Sequence, residues 1–366
     1  MVARLARPVR SVRLPGCKSL TARALVLAAC ARGESRLVGA SDSDDSRSLR
    51  ESLAGLGAGI GPLPDGRGWS VRGWDGPPVA RGVQVDVGAA GASFRFLLPL
   101  LAAGDTDVVV RGTRRLFERP QEPLYEFLRA RGTLIERFSD AQGEAVRVQG
   151  RGLPGGEWEA PLAGTSQFLS GLLLASQWSG DLLIRLSGPV PSAGYLDLTF
   201  EALRAFRGPA TAIAVSGGIR VRPGAPVACE YQVPGDPSAA TFFLVALVLC
   251  GGRALLSEPW SMVHPEARLL RRLFDSDLLR ADQAGFEATG RVPDGPLVFD
   301  IDGAPDAGPA LAVLGAFLPQ GVVLENVDRL RLKESDRVAG IERLLAALGR
   351  ASRLAGGDLV VPPGAA

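Results

Sequence analysis

A single histidine, His264, stands in a chain of 366 residues. Its solitude removes nucleophilic arrangements that need more than one imidazole, and most transition-metal sites. His264 lies in MVHPEARLL, ahead of a helical pattern without a partner motif, and takes no role. Cysteine is nearly as sparse. Cys17, Cys30, Cys229 and Cys250 are scattered with no CxxC pair, which offers neither a disulfide framework nor a zinc site and suits a reducing, cytoplasmic setting. Cys17 reads as a small packed residue, not a nucleophile. Net charge is missing too. Lys plus Arg number 41 against 39 for Asp plus Glu, leaving +2, so bulk charge recruits neither nucleic acid nor a membrane surface and any cationic site has to be local. The N-terminal MVARLARPVRSVRLPG lacks the apolar core of a signal peptide, and FLLPLLAA and FFLVALVLC are too short to span a bilayer. Lysine, arginine, carboxylates and hydroxyls remain for chemistry.

What is present is repetition. LPGCKSLTAR delivers Lys18, Ser19 and Thr21 to the start of the apolar run ALVLAACA, where a helix exposes unpaired N–H groups that suit an anion. Similar starts recur in GASFRFLLPLLAAG, GTSQFLSGLLLAS, GDPSAATFFLVALVLCGG and APDAGPALAVLGAF. Aligned on Thr21, Ser93, Ser166, Ser238 and Gly308, they are 72, 73, 72 and 70 residues apart. Between them lie amphipathic patterns, RSLRESLAGLG, QEPLYEFLRARG, LDLTFEALRAFRG, PEARLLRRLF and VAGIERLLAALG, four of which stop at Gly57, Gly132, Gly208 and Gly349. A helix apolar all round is buried, and an amphipathic one lies outside it. The expectation is an α/β architecture turned inside out, built from units of about 70 residues, with five copies visible and a sixth apparently absent before Ala366.

Five stretches carry candidate chemistry. Ser19 and Arg23 are four apart on one helix face, where the plain reading is a capping hydroxyl and a solvated arginine. Thr165, Ser166 and Gln167 put three hydrogen-bonding side chains where capping needs one. In LKESDR, Lys333 and Arg337 read as like charges one helical turn apart, either a solvated face or an anion clamp. RGTRRLFERP concentrates Arg111, Arg114, Arg115 and Arg119 in a loop before a helix. Asp306, at the start of the fifth apolar helix, is either an N-cap or a carboxylate held ionised by cations to act as a base.

Taken in order, LPGCKSLTARALVLAA, SDSDDSRSL, ERPQEPLYEFLRARG, TSQFLSGLLLAS, PGDPSAATFFLVA, APDA and LRLKESDRV resemble the 5-enolpyruvylshikimate-3-phosphate synthase family over nearly the whole chain. The resemblance implies a two-domain inside-out α/β barrel around a cleft, with residues 14–229 as one domain and 230–366 plus 1–13 as the other, C-terminally incomplete. It implies transfer of the enolpyruvyl group of phosphoenolpyruvate to the 5-hydroxyl of shikimate 3-phosphate, releasing phosphate, by a cytoplasmic monomer without metal or organic cofactor. Ser19, Arg23, Thr165, Ser166, Gln167, Ser192 and Lys333 would hold shikimate 3-phosphate, and Lys18, Gly91, Arg119 and Arg337 phosphoenolpyruvate. Asp306 would take the hydroxyl proton, with Glu334 and Lys18 managing protonation of the enolpyruvyl carbon and loss of phosphate. The chain departs from the family pattern at Ala89-Ala90-Gly91-Ala92, where Asn-Ala-Gly-Thr is usual, and in having no counterpart of the family's last unit. Those departures keep an alternative in view, a non-catalytic or acceptor-altered homologue that retains the phosphate-acceptor pocket.

Overall fold

The computed structural model describes residues 11–363. A short strand β1 (Ser11–Val12) leads to α1 (Lys18–Cys30), β2 (Glu34–Val38), α2 (Asp44–Gly55) and the hairpin of β3 (Gly59–Pro62) and β4 (Gly68–Arg72). The order then recurs. The second round is β5 (Val79–Asp86), α3 (Gly91–Ala103), β6 (Asp105–Arg111), a short helix α4 (Arg114–Glu118), α5 (Glu122–Arg129), β7 (Leu134–Asp140) and β8 (Gly143–Arg151). The third is β9 (Gly156–Glu159), α6 (Gln167–Ala175), β10 (Leu182–Arg185), α7 (Gly194–Arg207), β11 (Ala212–Val215) and β12 (Gly218–Val221). A fourth follows with β13 (Glu230–Gln232), α8 (Pro237–Cys250), β14 (Arg253–Leu256), α9 (Pro265–Asp275), β15 (Leu279–Asp282) and β16 (Gly285–Ala288). The last is β17 (Leu297–Asp300), α10 (Gly308–Phe317), β18 (Val322–Glu325), α11 (Arg337–Ala347), β19 (Arg353–Ala355) and β20 (Asp358–Val361).

Each round builds a four-stranded sheet in which the first two strands run parallel and a hairpin adds to the second, as in β5-β6-β8-β7, β9-β10-β12-β11 and β17-β18-β20-β19. In the first and fourth rounds the leading strands are exchanged. β1 pairs in parallel with β14, and β13 with β2. The chain accordingly divides into two compact units, residues 16–233 and residues 234–363 with 11–15. The crossings fall after Pro15 and Val233, not at the expected 13/14 and 229/230. The reason is local: Leu14 is buried in the core of the 234–363 unit, while β13 is held by β2.

The apolar helices are inner and the amphipathic ones outer, as their residue patterns require. In the 16–233 unit, α1 is buried from Leu20 to Cys30 and α3 from Ser93 to Ala103, and α1, α3 and α6 pack on one another. The outer helices end where left-handed glycines turn the chain, at Gly57, Gly132, Gly208 and Gly349, whose φ values run from 68° to 105°. One expectation needs correcting. α8 is apolar all round, yet Phe242 and Phe243 are exposed, because among the described residues its unit has one other inner helix, α10, to cover it.

α3 and α6 approach so closely that a Cβ on Gly171 would lie 2.2 Å from the Arg95 carbonyl oxygen. Backbone atoms there cannot yield as a side-chain tip can. Gly171→Ala is expected to destabilise the protein by about 1–3 kcal/mol, read as a lowered urea midpoint.

Candidate functional site

The inner helices place their N-terminal turns on a common polar region of the 16–233 unit. α1 and α3 open without a side-chain cap, so their first-turn N–H groups keep the donor character and positive end of the helix dipole. Lys18 is the first residue of α1, and its ammonium donates to Asp45 Oδ2 at 3.0 Å in the first turn of α2. The Ser93 hydroxyl in turn donates to the Asp45 carbonyl at 3.2 Å, tying α2 to the start of α3.

Arg23 is not solvated. It is 3% exposed and donates from Nε to Thr199 Oγ1 (2.8 Å), from Nη1 to the Ser19 carbonyl (2.8 Å), and from Nη2 to Ser170 Oγ (3.3 Å) and the Tyr195 carbonyl (3.1 Å). Burial lowers its pKa to about 10, so the guanidinium stays charged at neutral pH. It thereby joins Ser19 on α1 to α6 and to the first turns of α7. Just before α7, buried Ser192 adopts φ +49°, a left-handed conformation uncommon outside glycine, and its carbonyl accepts from the Tyr195 N–H at 3.1 Å.

Arg95 does for α3 what Arg23 does for α1. Its Nε donates to Gln121 Oε1 at 3.0 Å and its Nη1 to Gln167 Oε1 at 2.7 Å. Arg119 is 6% exposed and lies against the start of α3, where a Cβ on Gly91 would come within 2.5 Å of Nη1. Thr165 Oγ1 accepts from the Gln167 N–H at 3.2 Å, and Ser166 is buried beside it. Arg23 thus ties Ser19 to Tyr195 in the turn after Ser192, and Arg95 ties Gln167, with Thr165 beside it, to the Pro120 carbonyl next to Arg119.

The 234–363 unit carries the remaining candidates. Arg337, first residue of α11, donates from Nη1 to Asp306 Oδ1 (2.5 Å) and the Pro305 carbonyl (3.3 Å), and from Nη2 to Glu334 Oε2 (3.3 Å). One guanidinium therefore fixes both carboxylates, all three side chains being between a fifth and about a third exposed. Lys333, just before Glu334, is in extended conformation after a 3-10 turn over Val327–Leu332. Asp336 caps α11, its carboxyl held below the usual range by the Ala339 N–H and then by Arg331.

Three local expectations change. Lys333 and Arg337 do not share a helix, since Asp336 is the cap and α11 begins at Arg337. Asp306 is not an N-cap, because Ala307 occupies that position. RGTRRLFERP is not a loop either: Arg111 closes β6 with both Nη atoms on Asp140, and Arg114 and Arg115 begin α4 under Thr113. The residues that sequence reasoning missed are Arg95, Asp45, Ser170 and Thr199. A lone arginine within the apolar stretch FRFLLPLL was the available signal for the first, and the acidic run SDSDD for the second. Among the described residues no cluster of three or more His, Cys, Asp or Glu could hold a metal, and no helix is long and apolar enough to cross a membrane.

With this geometry in place, comparison with known proteins is direct. Residues 5–360 match the family model of EPSP synthase (3-phosphoshikimate 1-carboxyvinyltransferase). The 3-phosphoshikimate 1-carboxyvinyltransferase of Pseudomonas syringae pv. syringae is 32% identical over 355 residues, covering 96% of this chain and 80% of the relative. That of Rhizobium leguminosarum bv. trifolii is 34% identical over 365 residues, covering 95% and 79%. In structure, the EPSP synthase of Acinetobacter baumannii superposes with a TM-score of 0.73 at 24% identity over 97% of this chain and 82% of that one. The enolpyruvyl transferase NikO of Streptomyces tendae superposes with a TM-score of 0.68 at 16% identity, over 97% and 82%. The fold is the two-domain inside-out α/β architecture of these enzymes, and the chain belongs to the EPSP synthase family.

Buried Arg23 offers a test of the polar core. Thr199→Val removes the acceptor of its Nε and leaves a desolvated charged donor without that partner. A loss of about 1.5–3 kcal/mol in unfolding free energy is expected from denaturant titration.

Proposed function

We infer that this chain transfers the enolpyruvyl group of phosphoenolpyruvate to the 5-hydroxyl of shikimate 3-phosphate and releases phosphate. The observation that carries the reading is a family match from residue 5 to residue 360. Within it, Lys18, Arg119, Asp306, Glu334 and Arg337 are all retained, and that argues against a chain reduced to binding alone.

Asp306 takes the proton of the 5-hydroxyl as its oxygen bonds to C2 of phosphoenolpyruvate. The Arg337 hydrogen bond keeps one carboxylate oxygen engaged and aims the group. C3 gains a proton from Glu334 or Lys18, then returns one to that same, now deprotonated, group as the C2–O bond to phosphate breaks, phosphate leaves with the bonding pair and the double bond returns. Ser19, Arg23, Thr165, Ser166, Gln167, Ser192 and Lys333 hold the acceptor in this reading. The same reading assigns the anionic donor to Lys18, Arg119 and Arg337, and the absence of a side chain on Gly91 leaves room for the Arg119 guanidinium. Preorganised cations of this kind act on the charge that develops as phosphate departs. A cytoplasmic monomer suits the reading, and light scattering in solution checks the second point.

The direct test is phosphate release from shikimate 3-phosphate with phosphoenolpyruvate. Asp306→Asn keeps an acceptor for Arg337 but removes the base, so kcat is expected to fall by about 10²–10⁴-fold while acceptor affinity holds. An unaltered rate would discard Asp306 as the base. In Gly91→Ala the new methyl displaces Arg119, so KM for phosphoenolpyruvate is expected to rise by about tenfold or more, with little change in KM for the acceptor.

A further inference from the structure

Arg95 sits one turn into α3, where every residue from Phe94 to Ala103 except itself is apolar. It is 4% exposed, and its guanidinium lies 5.3 Å from the centre of the Phe168 ring. A guanidinium has donors and no acceptor, so whichever amide atom faces it must be an oxygen. Two glutamines meet it that way. Gln121 gives Oε1 to Arg95 Nε and uses its own Nε2 to donate to the Leu116 carbonyl at 3.0 Å, so both ends of that amide are spent inside the protein. Gln167 gives Oε1 to Arg95 Nη1 at 2.7 Å, which turns its NH2 group away from the arginine. Arg95 Nη2 also reaches the Pro120 carbonyl at 3.5 Å, one residue beyond Arg119.

We propose that Arg95 is a positioning residue that locks the Gln167 amide with its NH2 outward, so that Gln167 meets the acceptor as a donor to one of its oxygens. Through Gln121 and Pro120 the same guanidinium steadies the segment bearing Arg119. The proposal rests on the reading of Gln167 as an acceptor-binding residue. It goes beyond that reading in assigning the direction of the hydrogen bond and the group that enforces it. A free glutamine amide flips at little cost and can offer either end. Held by a buried charge, it discriminates, since a ligand group that can only donate then faces N–H.

Titration calorimetry with shikimate 3-phosphate and side-chain amide NMR test it together. In the unaltered protein, the 15N–1H pair of Gln167, assigned by its disappearance in Gln167→Glu, is expected to shift on addition of shikimate 3-phosphate. Gln167→Met should weaken acceptor binding by about tenfold, and Gln167→Glu by more, because one carboxylate oxygen still pairs with Arg95 while the other replaces the outward donor. Arg95→Met should weaken acceptor binding by a similar factor, and the Arg95→Met/Gln167→Met pair by little more than either change alone. If Arg95→Met does not fold, the two Gln167 variants and the NMR shift decide. Unchanged acceptor affinity in Gln167→Glu, a Gln167 amide signal indifferent to ligand, or additive effects in the pair would overturn the proposal. If the unaltered protein fails to bind shikimate 3-phosphate, both this proposal and the acceptor reading fall. If it binds while those outcomes appear, only the orientation of Gln167 is lost.

Discussion

A guanidinium carried into an apolar interior must find its hydrogen-bond partners there, because an unpaired buried charge costs several kcal/mol. Arg23 on α1 and Arg95 on α3 impose that constraint on the 16–233 unit, and the polar ends of its inner helices are arranged to meet it. Each arginine satisfies itself on other helices: Arg23 on Ser170 of α6 and on Tyr195 and Thr199 of α7, Arg95 on Gln167 of α6 and Gln121 before α5. Apolar packing alone tolerates sliding of one helix past another. Directional bonds to a fixed fork do not, so the register of these helix starts is set by charge. The 234–363 unit solves its version of the problem in a wetter place, with Arg337 in a half-buried turn holding Asp306 and Glu334.

Much of this architecture was legible in the chain because it is written in local patterns. The apolar runs from Leu20 and from Phe94 show no polar face, and glycines at 57, 132, 208 and 349 announce the ends of the outer helices. The burial of Arg23 was not legible. Its partners Ser170 and Thr199 lie 147 and 176 residues away and look like ordinary hydroxyls on a helix. Arg95 is hidden for the same reason, its partners being 26 and 72 residues distant. LKESDR misleads differently: its charge spacing fits a helix, whereas Asp336 uses its carboxylate as a cap and the helix begins only afterwards.

Candidate residues fall into groups of different mechanical character. Lys18, Asp306, Glu334 and Arg337 are paired side chain to side chain near the surface, where water can replace a partner at modest cost. Ser166, Arg119 and Arg23 are buried and held by packing or by several bonds. Groups expected to exchange protons thus keep solvent access, while those expected to hold a ligand's position are fixed before it arrives, which reduces the entropy lost on binding.

The exchange of leading strands has a consequence for how the molecule comes off the ribosome. β1 is made well before its partner strand, and the Ser257 N–H that bonds the Val12 carbonyl belongs to a residue made 245 positions later. Residues 16–233 can close as a body once β13 emerges and pairs with β2. The 234–363 unit has no such freedom. Its first sheet waits for the earlier-made β1 to be returned to it, a closure between distant points that delays folding and leaves the edge of β14 open until it is made.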